Sequence, residues 1–177
     1  NESDIVNLEI PDGELKKNLQ MIWVECEHIV DELKRQQQIE EEHFTSGDEL
    51  CSIGQPLSEG QIYDSNRYTL HGMLSEFGAE VLDMGVIPDR PEELEQALDT
   101  AAGNADLVLT TGGISVGAAD HLRTLIAERG ELLFSKVEIK PGRPVTFGRW
   151  RSAWFCGLPG NPVATMATFY LLLRPAL

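Results

Sequence analysis

Three short stretches of the chain carry residue types that could do chemistry together. The first runs from Leu107 to Asp120, LVLTTGGISVGAAD. Its apolar start reads as a buried strand. The strand breaks into Thr110, Thr111, Gly112, Gly113, Ser115 and Gly117, and a helical pattern begins after Asp120. Glycines let backbone N–H groups approach a ligand closely, and a helix N-terminus carries partial positive charge, so this order suits an anion. No Gly-Lys-Ser/Thr closes the loop as in a Walker motif, and the glycine spacing is not the dinucleotide fingerprint. Spacing alone leaves it either a phosphate cradle or a plain strand–turn–helix connection.

The second stretch is the basic turn Lys140-Pro141-Gly142-Arg143-Pro144, and the third is the tight turn from Gly157 to Pro162, GLPGNP. Asp48, Asp89 and Asp120 supply carboxylates. Backbone donors, cations and carboxylates together suit a phosphorylated or oxyanionic ligand with Mg²⁺. Each part also has a plainer use. Lys140 and Arg143 could be solvated turn charges, Asp120 a helix cap, Asp89 a helix start behind Pro88, and Gly157 to Pro162 a structural turn.

The elements that must position these residues alternate. Asp64 or Ser65 is the expected cap of a helix through Met73 and Phe77, stopped by Gly78. A strand follows over residues 80–87, then a helix started by Pro91, with Leu94, Ala97, Leu98 and Ala101 on its apolar face. The strand at Leu107, a helix ending at Gly130, a strand over 132–139, a hairpin around Arg149-Trp150-Arg151 and an apolar helix over 162–173 complete the pattern. Such alternation predicts a mostly parallel sheet covered on both faces. Ligands of such sheets bind at the carboxyl ends of the strands, where the three turns would converge on one pocket.

Composition narrows the partners. A net charge of −15 argues against nucleic acid. It does not exclude an anionic small molecule, because local cations can reverse the field in a cleft. Three cysteines without a CxxC pair fit a reducing compartment, and the four histidines show no zinc spacing. No signal-like or membrane-spanning run is legible, so a cytoplasmic location is expected.

Five stretches now resemble one family in order and spacing. They are residues 45–50 (TSGDEL), 60–66 (GQIYDSN), 111–117 with Asp120, 140–144 and 157–162. Together they resemble the molybdopterin-binding domain of the MoeA and gephyrin E-domain family, the molybdopterin molybdotransferases, over residues 45–177. The resemblance implies a three-layer α/β/α domain. It implies adenylylated molybdopterin and molybdate as substrates and Mg²⁺-dependent insertion of molybdenum with release of AMP. Carried over by motif, Thr111, Gly112, Gly113, Ser115 and Gly117 would hold the pterin phosphate. Asp120 and Asp89 would serve the metal or the phosphoanhydride, and Lys140 and Arg143 the molybdate. Asp48, Asn66, Pro159, Gly160 and Asn161 would shape the cleft. Two alternatives remain, a MogA-like molybdopterin adenylyltransferase and a non-catalytic interaction module.

The sequence departs from the family pattern in four places. Ala164 stands where the family usually has Ser, and Arg143 where it often has Lys. Glu40-Glu41-Glu42-His43-Phe44 stands where the family has an apolar first strand, and it reads as a poor buried strand. The further domains of the family are not found in this sequence. Residues 1–44 hold 12 acidic and 4 basic residues. Leu15, Leu19, Ile22, Cys26, Ile29 and Leu33 form a heptad seam, which predicts a helix over about 14–42. That segment is expected to be foreign to the domain or a divergent replacement. It could pack on its own domain, dimerise or dock a partner, and other proteins of molybdenum cofactor biosynthesis are the partners the family implies.

Overall fold

The computed structural model describes residues 40–46, 49–112 and 121–176. The helix expected over about 14–42 therefore lies outside the described residues except at 40–42. A six-stranded sheet forms the middle layer. Its strands are β1 (Glu40–Ser46), β4 (Glu80–Ile87), β5 (Leu107–Gly112), β6 (Glu131–Phe134), β7 (Thr146–Trp150) and β8 (Ala153–Leu158). Their spatial order is β4-β1-β5-β8-β7-β6. The first four are parallel, and β7 runs antiparallel to both β8 and β6. A two-stranded parallel ribbon, β2 (Leu50–Cys51) and β3 (Ile62–Tyr63), stands apart from the sheet.

Helices cover both faces. On one side α1 (Ser65–Glu76) and α4 (Pro162–Thr168), with the π-helical turn Phe169–Leu173, bury Leu70, Leu74, Phe169 and Leu173 against Leu107 and Leu109. On the other, α2 (Pro91–Ala102) and α3 (His121–Arg129) bury Leu94, Leu98, Leu122 and Ile126 against Phe44, Val108 and Phe155. β5 thus feeds both cores by alternation, as an apolar strand buried on both faces must. Each fully buried leucine contributes roughly 1.5–3 kcal/mol.

Local chemistry sets the element ends. Asp64 caps α1, its Oδ1 accepting from the Arg67 N–H at 3.1 Å. Pro91 opens α2, and Glu92 and Glu93 complement its N-terminal dipole. At the β7–β8 turn Arg151 takes φ 56°, and its guanidinium and the Trp150 indole both bond to Asp99 of α2. The hydrogen bond from Arg151 and that from Trp150 lower the Asp99 pKa below the usual carboxylate value.

Three expectations are corrected. Residues 40–42 are strand, not the end of a helix, and β1 starts before the boundary expected at 45. The stretch Glu40–Phe44 is a central strand after all. It is hydrogen-bonded on both sides, to β4 and to β5, and His43, Phe44, Thr45 and Ser46 are buried. Backbone pairing on two edges satisfies its polar groups whatever the side-chain pattern. The strand expected over 132–139 ends at Phe134, after a register shift between Leu132 and Phe134. The chain from 135 to 145 instead folds into the basic turn.

Candidate functional site

A cleft of about 860 Å³ opens at the carboxyl end of the sheet. Its floor lies where β1 and β5 end side by side, with Ser46 paired to Gly112. From β1 the chain departs through α1 toward β4, and from β5 it departs the opposite way toward β6, β7 and β8. Connections diverging from neighbouring strands leave a crevice between them, the usual ligand position of an open α/β sheet. Thr45 and Gly112 line it from the floor, the turn 140–144 forms one wall, and Pro159, Gly160 and Asn161 form another.

Backbone geometry forces the residue types in these walls. Gly112 has φ 78°, and a side chain there would collide with the Ser46 carbonyl. Gly142 has φ 118°, and a Cβ would collide with Thr168. The basic turn is closed by the Val137 N–H donating to the Arg143 carbonyl at 3.0 Å. Asn161 caps α4, accepting from the Ala164 N–H at 3.1 Å. Asn66, in the first turn of α1, donates from Nδ2 to the Gly160 carbonyl at 2.7 Å and so ties two walls together. Its Oδ1 is buried and has no partner among the described residues. In a cleft wall, an acceptor held without a donor is a polar feature that a ligand N–H or O–H can satisfy.

Seven of the residues singled out in the sequence line this one cleft: Asn66, Gly112, Lys140, Arg143, Pro159, Gly160 and Asn161. Two do not. Thr111 is buried at the end of β5 and does not reach the lining. Asp89 sits after the end of β4, where its Oδ1 accepts from the Ser46 hydroxyl at 3.3 Å, beside the cleft rather than in its lining. Asp48, Gly113, Ser115, Gly117 and Asp120 lie outside the described residues.

Two carboxylates escaped the sequence reading, and both line the cleft: Glu49 and Glu138. Glu138 accepts from Arg143 Nη2 at 3.1 Å, whereas Lys140 has no ion-pair partner among the described residues. The signal for Glu138 was its place two residues before Lys140 and five before Arg143. Ala164 also lines the cleft and offers no hydroxyl. The adjacent Thr165 does not replace it, because its buried hydroxyl donates to the Pro159 carbonyl at 2.6 Å.

A buried polar group braces the floor from below. Thr45 Oγ1 donates to Asp64 Oδ2, and Asp83 lies 3.3 Å from Arg67 Nε and 3.8 Å from His43 Nε2. Burial pushes the His43 pKa down, and the attraction of Asp83 offsets this only in part. Among the described residues no three His, Cys, Asp or Glu side chains cluster as a metal site, and no helix is long and apolar enough to cross a membrane.

Comparison with known proteins identifies the family and the fold. Residues 42–177 match the family model described as a probable molybdopterin binding domain. A molybdopterin molybdenumtransferase of Haemophilus influenzae is 46% identical over 144 residues, covering 81% of this chain and 36% of that protein. Gephyrin of Dictyostelium discoideum is 34% identical over 162 residues, covering 76% of this chain and 23% of that protein. The crystal structure of the molybdopterin biosynthesis MoeA protein from Pyrococcus horikosii superposes with a TM-score of 0.71 at 32% identity, over 78% of this chain and 34% of that one. The chain spans about a third of the length of the first two curated relatives, 36% and 32%. A match to the family model over residues 42–177, most of the chain, makes this chain a member of the family described as a probable molybdopterin binding domain.

Proposed function

We propose that the cleft binds molybdopterin, in its adenylylated form, together with molybdate, and that the chain is the ligand-holding domain of a molybdenum insertase. One observation carries this reading: the basic turn, the end of β5 and the Pro159–Asn161 turn share a single cleft. Lys140 and Arg143 supply two positive charges for a tetrahedral dianion. Charge-assisted hydrogen bonds from both cations would hold such an anion. The loop after Gly112 would hold the pterin phosphate, and the free Asn66 Oδ1 would accept a ligand N–H or O–H.

Mg²⁺ belongs to the same proposal. Asp89 offers hard oxygen donors next to the Ser46 hydroxyl, and Mg²⁺ is typically held by one or two carboxylates plus substrate phosphates. Asp89 and Asp120 would hold the ion, which would neutralise phosphate charge. Insertion of molybdenum into the dithiolene and release of AMP are proposed for the whole protein of which this domain type is part. Other proteins of molybdenum cofactor biosynthesis would supply the adenylylated substrate.

Calorimetric titration of the folded chain with adenylylated molybdopterin and then with molybdate tests the proposal. Saturable binding of both is expected. Exchanging Lys140 and Arg143 together for Ala should weaken molybdate at least tenfold and leave molybdopterin within about threefold, since one lost charge-assisted bond is worth about 1.5–3 kcal/mol. A folded chain that binds neither ligand contradicts the reading.

A further inference from the structure

The lining of the cleft is charge-balanced in a way its proposed ligand does not require. Among the described residues it holds two cations, Lys140 and Arg143, and two carboxylates, Glu49 and Glu138. One carboxylate is bonded to one of the cations: Arg143 Nη2 donates to Glu138 Oε1 at 3.1 Å. Lys140 remains unpaired among the described residues.

The Glu138–Arg143 pair is not what shapes the turn. Both side chains are more than half exposed, at 56% and 65%. The turn is closed instead by the backbone bond from Val137 to Arg143 and packed by Gly142 against Thr168 and Ile139. An exposed ion pair contributes about 0–1 kcal/mol, so Glu138 can leave Arg143 at little cost to the fold. Its charge nevertheless stands at the place where an incoming oxyanion must settle.

We propose that Glu138 is an internal counter-anion of the oxyanion site. In the free chain it occupies Arg143, and an oxyanion binds by displacing it. Glu138 thereby sets the affinity of the site and keeps Arg143 from holding weakly bound anions. This rests on the reading of the cleft as an oxyanion site. Because the repulsion scales with ligand charge, Glu138 opposes a tetrahedral dianion more than a tetrahedral monoanion of similar size. Its effect must also fall with ionic strength, since the pair is exposed.

Titration of the full 177-residue chain with molybdate and with perrhenate, at low and at high salt, tests this. Three proteins are compared: the native chain, Glu138→Gln, and Glu128→Gln. Glu128 lies on α3, outside the cleft lining, so its exchange alters net charge equally without touching Arg143. The expected result is molybdate binding roughly three- to tenfold tighter in Glu138→Gln, a change in the range of one exposed charge pair. The gain should be smaller for perrhenate, shrink at high salt, and be absent in Glu128→Gln. Native binding with no gain, or with a loss, in Glu138→Gln overturns the inference and leaves the oxyanion site standing. An equal gain in both variants also overturns it, since the effect would then be one of overall charge. Failure of all three proteins to bind either ion overturns the inference and the oxyanion site together.

Discussion

Thr45 Oγ1 donates to Asp64 Oδ2 at 2.6 Å, joining the end of a central strand to the cap of the helix that carries Asn66. The other oxygen of the same carboxylate accepts from the Arg67 N–H at 3.1 Å. One buried side chain thus sets the height of α1 over the sheet, and Asn66 passes that position on to Gly160. This chain of bonds links the floor of the cleft to its walls.

Removing that carboxylate should loosen the whole edge. Asp64→Ala deletes the cap and leaves the buried Thr45 hydroxyl without its acceptor. The expected loss is about 2–4 kcal/mol, from a cap worth roughly 1 and an unsatisfied buried group worth roughly 1–3. Urea denaturation measures it. Asp64→Asn, which keeps an acceptor for the cap, should lose less than half as much.

Two glycines with the same backbone angle separate strain from crowding. Gly78 and Gly112 both have φ 78°, but a Cβ at Gly78 meets open space and one at Gly112 meets the Ser46 carbonyl. Gly78→Ala should cost about 1 kcal/mol, the left-handed penalty alone. Gly112→Ala should cost about 1–3 kcal/mol more, because the β1–β5 pair must part to admit the methyl. Thermal unfolding of the two variants gives the difference directly.

His43 predicts the acid limb of stability. It is buried, and burial holds its pKa below the unfolded value, against Asp83 and with help from His71 and Arg67. Above the unfolded pKa both states are neutral here and His43 adds no pH dependence. As pH falls through that value, the unfolded chain takes up a proton that the folded chain resists, so stability declines on acidification. The contribution is at most about 1.4 kcal/mol per pH unit for one proton. Denaturation between pH 7.5 and 5.5, an interval of roughly one unit either side of the reference His pKa, should show a shallower decline in His43→Gln than in the native chain.

The missing hydroxyl at Ala164 is a gap that one atom fills. Ala164 lines the cleft, and the neighbouring Thr165 hydroxyl is committed to Pro159. Ala164→Ser should tighten molybdate about two- to tenfold, the worth of one added hydrogen bond of roughly 0.5–1.5 kcal/mol. The same calorimetric titration reads it, and because Ala164 is buried, urea unfolding of the variant should show a cost of at most about 1–3 kcal/mol for the added atom.

Much of this arrangement was legible in residue order. Asp64, Pro91, Gly78 and Gly130 punctuate helices by local chemistry, so their signals survive without tertiary context. Leu107 to Leu109 read as a strand because a strand buried on both faces is apolar at every position. β1 was hidden for the opposite reason: its first residues are Glu40, Glu41 and Glu42, and only its pairing with β4 and β5 makes it central. The strand expected through Ile139 stopped at Phe134, because a register shift at Leu132 diverts the chain and no periodicity reports that. In the cleft, motif spacing identified Lys140, Arg143 and the Pro159–Asn161 turn. Glu138 was overlooked because the strand expected over 132–139 absorbed it, and only the end of that strand at Phe134 brings it to the basic turn.

Crystals of the chain soaked in molybdate and measured at the molybdenum absorption edge test the central claim most directly. An anomalous peak within hydrogen-bonding reach of both Lys140 and Arg143, in the cleft floored by Gly112, is the predicted result. A peak confined to other basic side chains, or no peak from a folded chain at saturating molybdate, would contradict it.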